Sequence, residues 1–403
     1  MTRVPVRASR MSVVGTETAF EVLAEVKRLE AQGRRIYNFA IGEPDFDTPE
    51  HIKQAGIAAI RDNYTHYSPS AGIQPLREAI ARVAGRLRGL RFSADEVVVT
   101  PGAKPIIYYT LLSCVDPGDE VIYPNPGFPI YESAIRLAGA VPVPLYLREH
   151  RGFVFDPDEL SSRITPRTRL VILNSPHNPT GGVLSREVLA WVAQLAVEHD
   201  LWVLSDEIYS RILFDGEFVS IAALPDMRAR TIVLDGFSKI YAMTGWRLGY
   251  GIMPAPVAAD VARLVTNVES CTATFTQMAG IAALEGPQEP SEAMVAEFRA
   301  RRDLVVELLD QVPGVRVSPP SGAFYVYPNV TEACRRVGAK DAREFASRML
   351  HEAGVALLAG TAFGTPDPEE DQQYVRLSYA ASREQLREGI ARMREWVEKG
   401  GAR

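Results

Sequence analysis

Lysine is scarce in this chain. Of 44 basic residues among 403, six are lysines: Lys27, Lys53, Lys104, Lys239, Lys340 and Lys399. Lys239 most needs a reason. It sits in DGFSKIYAMTGWRLGYG among glycines, aromatics and apolar residues, where a long flexible cation is ordinarily kept in water. Cysteine is rarer still. Cys114, Cys271 and Cys334 lack CxxC spacing, which argues for a reducing compartment, against a metal cluster, and for three small buried hydrophobes. No apolar run approaches about 18 residues, so no membrane span is expected. The N-terminal MTRVPVRASRMSVVG carries Arg3, Arg7 and Arg10 without the apolar stretch of a secretory signal. It reads as a flexible or partner-clasping arm of a cytoplasmic protein. A net charge of −6 speaks against a nucleic-acid surface. No GxGxxG follows a strand-like run, which disfavours a nicotinamide dinucleotide. No lysine precedes Ser or Thr, which excludes a Walker loop.

What is abundant is apolar material, 46% of the chain, ample for a large core and for two domains. Four short apolar runs stand out: EVVV before TPGAK, LVIL before NSPHNPTG, LWVL before SDEIY, and TIVL before DGFSK. EVIYPNPGF adds a fifth. Each is continuous rather than alternating, as a strand buried on both faces should be. Helix-period segments separate them, which predicts an α/β fold with a largely parallel sheet. SREVLAWVAQLAVEHD has Ser185 as N-cap and Val188, Val192 and Leu195 on one face. SREQLREGIARMREWVEK pairs Ser382 with Gln385 as a capping box before a stripe of Leu386, Ile390, Met393 and Val397. ETAFEVLAEVKRLEAQG ends at Gly33, a helix stop. EGPQEPSEA suggests a domain change after about Glu285. The expected division is an N-terminal arm and small-domain segment over 1–47, a large domain over 48–285, and a small domain over 286–403.

Every strand-like run ends in a loop rich in Gly, Pro, Asn, Asp or Ser. In open α/β sheets ligands bind outside the carboxyl ends of the strands, so Gly102, Asn178, Asp206 and Lys239 should converge on one crevice. In TPGAK the chain turns through Gly102 into a helix. That would leave the backbone N–H groups of Gly102, Ala103 and Lys104 free at a helix N-terminus, where a phosphate can sit, although the same residues suit an ordinary tight turn. Arg247 offers a guanidinium for phosphate oxygens and Ser238 a hydroxyl, or Arg247 makes a structural ion pair. Asp206 at a strand end needs a donor or a cation, and reads either as the cap of a helix over EIYSRI or as the partner of a protonated ring nitrogen. Tyr209 and Asn178 could reach an oxygen on the same ring, unless Asn178 before proline merely forms a turn. A partly desolvated Lys239 can act as a Schiff-base nucleophile and as an acid–base group.

Taken together, IGEPDFDTPEHI, HYSPSAGIQPLREAIA, TPGAK, YPNPGFPIYES, SPHNPTG, SDEIY, GFSKIYAMTGWRLGY, PSGAFYVYP and YVRLSYA run in order through nearly the whole chain. With these motifs the sequence resembles the class I aminotransferases, pyridoxal 5'-phosphate enzymes of fold type I. The resemblance implies a large domain with a mostly parallel mixed sheet flanked by helices, and a smaller α+β domain built from the two terminal segments. Lys239 would form the Schiff base, Asp206 would pair with the pyridine nitrogen, and Tyr209 and Asn178 would bond the ring oxygen. Gly102, Ala103, Lys104, Ser238 and Arg247 would cradle the phosphate, and Phe128 would stack on the ring. Arg376 would clamp the substrate α-carboxylate beside Gly42. Tyr67 would reach the phosphate of the neighbouring subunit in a homodimer with shared sites. The implied reaction moves an amino group from an L-amino acid to a 2-keto acid, in ping-pong fashion.

The family enzymes specialised for dicarboxylic substrates often carry tryptophan where Phe128 stands. No second arginine for a side-chain carboxylate is identifiable, so an alanine-like, aromatic or broad donor range stays open. His177 reads as structural. Two alternatives remain on the same scaffold. One is another pyridoxal reaction, such as a C–S lyase, decarboxylase or oxidase. The other is a non-catalytic sensor, which would need an attached basic DNA-binding domain that the short N-terminal arm leaves no room for.

Overall fold

A computed structural model of the protein describes residues 8–401. Arg3 and Arg7 of the expected arm lie outside the described residues. Seven strands form the central sheet: β1 (Val97–Thr100), β2 (Glu120–Asn125), β3 (Val141–Tyr146), β4 (Thr168–Asn174), β5 (Trp202–Asp206), β6 (Thr231–Gly236) and β7 (Gly249–Ile252). Their spatial order is β1-β7-β6-β5-β4-β2-β3. The pairs β2–β3, β2–β4, β4–β5 and β5–β6 are parallel. β7 is antiparallel to both β1 and β6, so β1 runs the same way as the parallel set.

The five expected runs are all strands of this sheet, and two further strands carry no such run. β3 contains Pro142 and Pro144, which cannot donate to a ladder. It survives because it is the sheet edge and the prolines alternate, facing their nitrogens away from β2. β7 contains Gly249 and Gly251, weak strand formers. A Cβ on Gly249 would lie 2.2 Å from the Ala103 nitrogen, so glycine is demanded by the turn packed against it.

Both faces of the sheet are covered, which is why the strands are apolar throughout. Val98, Leu170, Ile172, Leu204 and Ile232 pack with helices Lys104–Cys114, Ile130–Leu137 and Ala255–Val268. Val171, Leu173 and Val203 face the opposite side and meet Leu189 and Val192 of helix Arg186–Glu198. Ser185 caps that helix by accepting from the Val188 nitrogen at 3.3 Å. Val188 itself is only partly buried, and Leu189 takes the core position beside Val192.

The rest of the structure builds around the terminal segments. Tyr37–Asn38 pairs in parallel with Val355–Ala356. Val375–Ser378 lies antiparallel between Leu358–Ala359 and Tyr325–Val326. Helix Arg383–Glu398 opens with the Ser382–Gln385 capping box and buries Leu386, Ile390, Met393 and Val397. Helix Thr18–Ala31 stops just before Gly33, whose φ of 83° is left-handed. One apolar cluster includes Ile52 and Leu284 together with Met294, Phe298 and Trp396, so the two expected domains pack against each other through it. Cys334 is buried, whereas Cys114 and Cys271 are only half-buried. Among the described residues no helix is long and apolar enough to cross a membrane.

Candidate active site

The carboxyl ends of β4, β5 and β6 lie side by side, with Asn174 opposite Asp206 and Asp206 opposite Leu234. Loops leaving these ends open on a cleft of about 520 Å³. Its walls include Ala103, Lys104, Phe128, Asn178, Asp206, Tyr209, Ser238, Lys239 and Arg247 from the sheet side. Gly42 and Arg376 come from the terminal segments. Of the four residues expected to converge, Asn178, Asp206 and Lys239 line this cleft, while Gly102 lies just behind its wall, next to Ala103.

Asp206 ends β5 and is buried. No helix follows it, so the cap reading fails. The segment after it is a turn, with the Ile208 N–H donating to Asp206 Oδ1 at 3.3 Å. Tyr131 donates to Oδ2 at 2.7 Å. Burial pushes the carboxyl up to about 6, against the pull of these two donors. A cation beside it would restore the ordinary value.

Lys239 lines the same cleft, and its Nζ donates to the Gly42 carbonyl at 2.6 Å. Loss of hydration pushes the amine down to about 8. Arg376 and Arg247 press the same way, and Glu43 and Glu17 oppose. Among the described residues no ion pair joins Lys239 to a carboxylate. An amine of this kind is neutral often enough to attack a carbonyl.

Arg376 sits in the middle strand of the small antiparallel sheet and is 4% exposed. Its Nη1 donates to Asn178 Oδ1 at 3.0 Å and its Nη2 to the Ala40 carbonyl at 2.5 Å. Its Nε has no partner, and no carboxylate of the described residues pairs with it. The rings of Tyr325 and Phe363 lie 4.4 Å and 4.8 Å from the guanidinium carbon. Burial lowers its affinity for its proton. A buried guanidinium without an acid is an anion site.

Arg247 has a φ of 52°, and its Nη1 donates to the Thr244 carbonyl at 2.7 Å. No carboxylate of the described residues pairs with it either, so the alternative of a structural ion pair fails. Gly102, with a φ of 84°, lies against this guanidinium, since a Cβ there would fall 2.2 Å from Arg247 Nη2. Helix Lys104–Cys114 starts at the same point, so its first N–H groups and the guanidinium face one space. Tyr209 is buried and its hydroxyl meets that of Tyr325 at 2.8 Å. Tyr67 does not line its own cleft and is 89% exposed. His177 is buried, with Nδ1 on the Thr180 hydroxyl at 2.8 Å. Burial holds its ring neutral, with the pKa down at about 3, as a structural role requires.

Three contributors escaped the sequence reading. Tyr131 and Tyr325 lie within motifs that were read, but nothing in their spacing says which hydroxyl meets which partner. Glu17 enters the cleft from the start of helix Thr18–Ala31, far from every motif. Behind the site, Arg88 is fully buried between Glu207 and Asp235, at 2.7 Å from each.

These features fit pyridoxal phosphate. A carboxylate raised by burial lacks a cation, an amine is lowered into the nucleophilic range, and a glycine turn beside an acid-free arginine would be filled by any side chain. The comparisons agree. The family model for aminotransferase class I and II matches residues 34–393. The chain is 38% identical to an aspartate aminotransferase of Geobacillus stearothermophilus, over 97% of this chain and 98% of that one. It is 40% identical to an arginine–pyruvate transaminase of Pseudomonas aeruginosa, over 93% and 92%. The solved structure of Thermus thermophilus aspartate aminotransferase with maleate superposes with a TM-score of 0.90 at 38% identity, covering 97% of this chain and 100% of that chain. The mixed sheet is thus the fold type I scaffold. The chain belongs to the class I and II aminotransferases and is a transaminase of the pyridoxal-phosphate-dependent kind.

Proposed function

We propose that this aminotransferase moves the amino group of an L-amino acid to a 2-keto acid, using pyridoxal phosphate carried on Lys239. One observation carries the reading. Lys239 and Asp206 open on one cleft, unpaired with each other, the amine held down to about 8 and the carboxylate up to about 6. An aldehyde and a protonated ring nitrogen on one small molecule would satisfy both.

In this reading Lys239 holds the cofactor's aldehyde carbon through Nζ. Asp206 holds the ring nitrogen, steadied by Tyr131. Tyr209 and Asn178 face the ring oxygen, and Phe128 covers the ring. Backbone N–H groups of Gly102, Ala103 and Lys104, with Ser238 and Arg247, take the phosphate. When bound, pyridoxal phosphate supplies an electron sink and a temporary carrier for the amino group, so that donor and acceptor react in turn. Arg376 grips the α-carboxylate beside Gly42 and so orients Cα. Lys239, once free, would shuttle protons at Nζ, taking one from the donor's Cα and passing it on before the keto acid leaves, and in the acceptor half running the same transfer in reverse so that a proton ends on Cα.

The exposed ring of Tyr67 suits a homodimer in which it completes the partner's phosphate site. A cytoplasmic enzyme and a division into 1–47, 48–285 and 286–403 belong to the same proposal. Supporting that division, all seven central strands fall between Val97 and Ile252, and the small sheets come from the terminal segments. The test is a panel of amino donors with pyruvate or 2-oxoglutarate. Keto acid formed only with an acceptor, and without ammonia, supports transamination. Ammonia released without an acceptor would reassign the chain to a lyase or oxidase.

A further inference from the structure

We propose that Glu17 sets the donor specificity of this cleft, turning it away from dicarboxylic amino acids and toward donors with uncharged, apolar side chains. The inference rests on the transaminase reading above and names its substrate class.

Glu17 stands at the N-cap of helix Thr18–Ala31, yet its side chain makes no cap bond there. Glutamate is not a favoured cap, so the helix does not explain it. The carboxylate instead pairs with the Lys104 ammonium, 87 positions along the chain. Lys104 is equally unexplained by its own helix, since a cation at the first turn meets the positive end of the dipole. Each residue makes sense only through the other.

The pair lies in the cleft that holds Lys239 and Arg376. The ammonium stands 5.4 Å from the centre of the Phe128 ring. The charge of Glu17 is felt at the reacting end, where it raises the proton affinity of both Lys239 and Arg376. Four cations line the cleft among the described residues: Lys104, Lys239, Arg247 and Arg376. Three have tasks in the proposed mechanism, so Lys104 alone is left for a side-chain carboxylate, and Glu17 already occupies it. The apolar part of the wall is formed by Phe20, Leu23, Ile41, Ile107 and Phe128, with Glu43 a further acid on the lining. A donor with an apolar side chain meets that wall without disturbing the pair. A dicarboxylate must displace Glu17 and leave two acids on one cation. Several relatives carry aspartate in their names, so this chain is expected to part from them in donor choice.

The test compares succinate with butyrate, a dicarboxylate and a monocarboxylate of equal length, by calorimetry on the cofactor-loaded enzyme. Wild type should bind succinate no more than about threefold tighter than butyrate. Glu17→Gln frees Lys104 and should tighten succinate about tenfold with butyrate unchanged, the scale of one partly exposed charge pair. Glu17→Thr, which restores a favoured cap, should do the same. Lys104→Met in the Glu17→Gln background should erase the gain. The ratio of kcat/KM for aspartate over phenylalanine should move with it. Equal effects on both ligands, or none, would overturn the proposal, as would a tenfold loss of succinate binding in Lys104→Met alone. Absence of transamination with every donor would instead defeat the underlying functional reading, while the two binding constants would still report on Glu17.

Discussion

Asn178 Oδ1 accepts a hydrogen bond from Arg376 Nη1 at 3.0 Å, and so ties the loop after β4 to the small antiparallel sheet. The bond also fixes the amide. With its oxygen on the guanidinium, the Asn178 NH₂ is left free to donate, as the proposed contact with the ring oxygen requires. Asn178 is itself held by its N–H on Asn174 Oδ1 at 2.9 Å, and Asn174 donates to the Asp206 carbonyl at 3.0 Å. Arg376, Asn178 and Asp206, the proposed carboxylate clamp, ring contact and nitrogen partner, are thus one connected unit. Asn178→Ala should lower kcat/KM by about 10- to 100-fold for donor and acceptor alike, mostly through KM, the scale of one or two charge-assisted bonds. Steady-state kinetics on both half-reactions checks it.

Asp206 makes stability depend on pH. Its folded value, about 6, lies above the ordinary value of 3.8, so the folded protein without cofactor binds more protons between those limits. Stability from this group is therefore fully present at low pH and lost as pH rises through about 6, by ~3 kcal/mol for a shift of this size. Asp206→Asn removes the titration. In the cofactor-free state the variant should gain on wild type between pH 4 and 6.5 in thermal or denaturant unfolding. Loaded with pyridoxal phosphate, the same variant should lose at least about 10³-fold in kcat, because the ring nitrogen loses its counter-ion.

Tyr131 acts through Asp206. Tyr131→Phe deletes the 2.7 Å bond to Oδ2 and should raise the carboxyl further. A loss of about tenfold in kcat is expected, with the acidic limb of the pH profile moved upward. A purely structural tyrosine would leave that limb in place.

Arg88 supports the site from behind. Its guanidinium neutralises two buried acids, Glu207 next to Asp206 and Asp235 in β6. Arg88→Ala leaves both uncompensated and should cost about 3–5 kcal/mol of stability. Denaturant unfolding measures this directly.

The sequence made some of this legible and hid the rest for physical reasons. Strands buried on both faces announce themselves as unbroken apolar runs, so β1, β2, β4, β5 and β6 were readable. β3 was hidden by prolines that an edge strand tolerates, and β7 by glycines that the Ala103 turn requires. Lys239 and Arg247 were readable because an isolated lysine and a fixed eight-residue spacing are local facts. Lys104 with Glu17, and Tyr131 with Asp206, were not, because such pairs exist only once the chain has brought distant segments together. The cap reading of Asp206 failed for a related reason: EIYSRI looks helical by composition, but it forms a turn in which Tyr209 packs edge-on against Phe324 and Tyr325, contacts that exist only in the folded chain.

The most direct measurement is borohydride reduction of the enzyme loaded with pyridoxal phosphate, followed by peptide mapping at a series of pH values. The account predicts a single labelled lysine, Lys239. Attachment should rise with pH about a midpoint near 8, because the lowered amine loses its proton there rather than near 10.5. A label on Lys104 or any other lysine, or protein that takes up no cofactor, would contradict it.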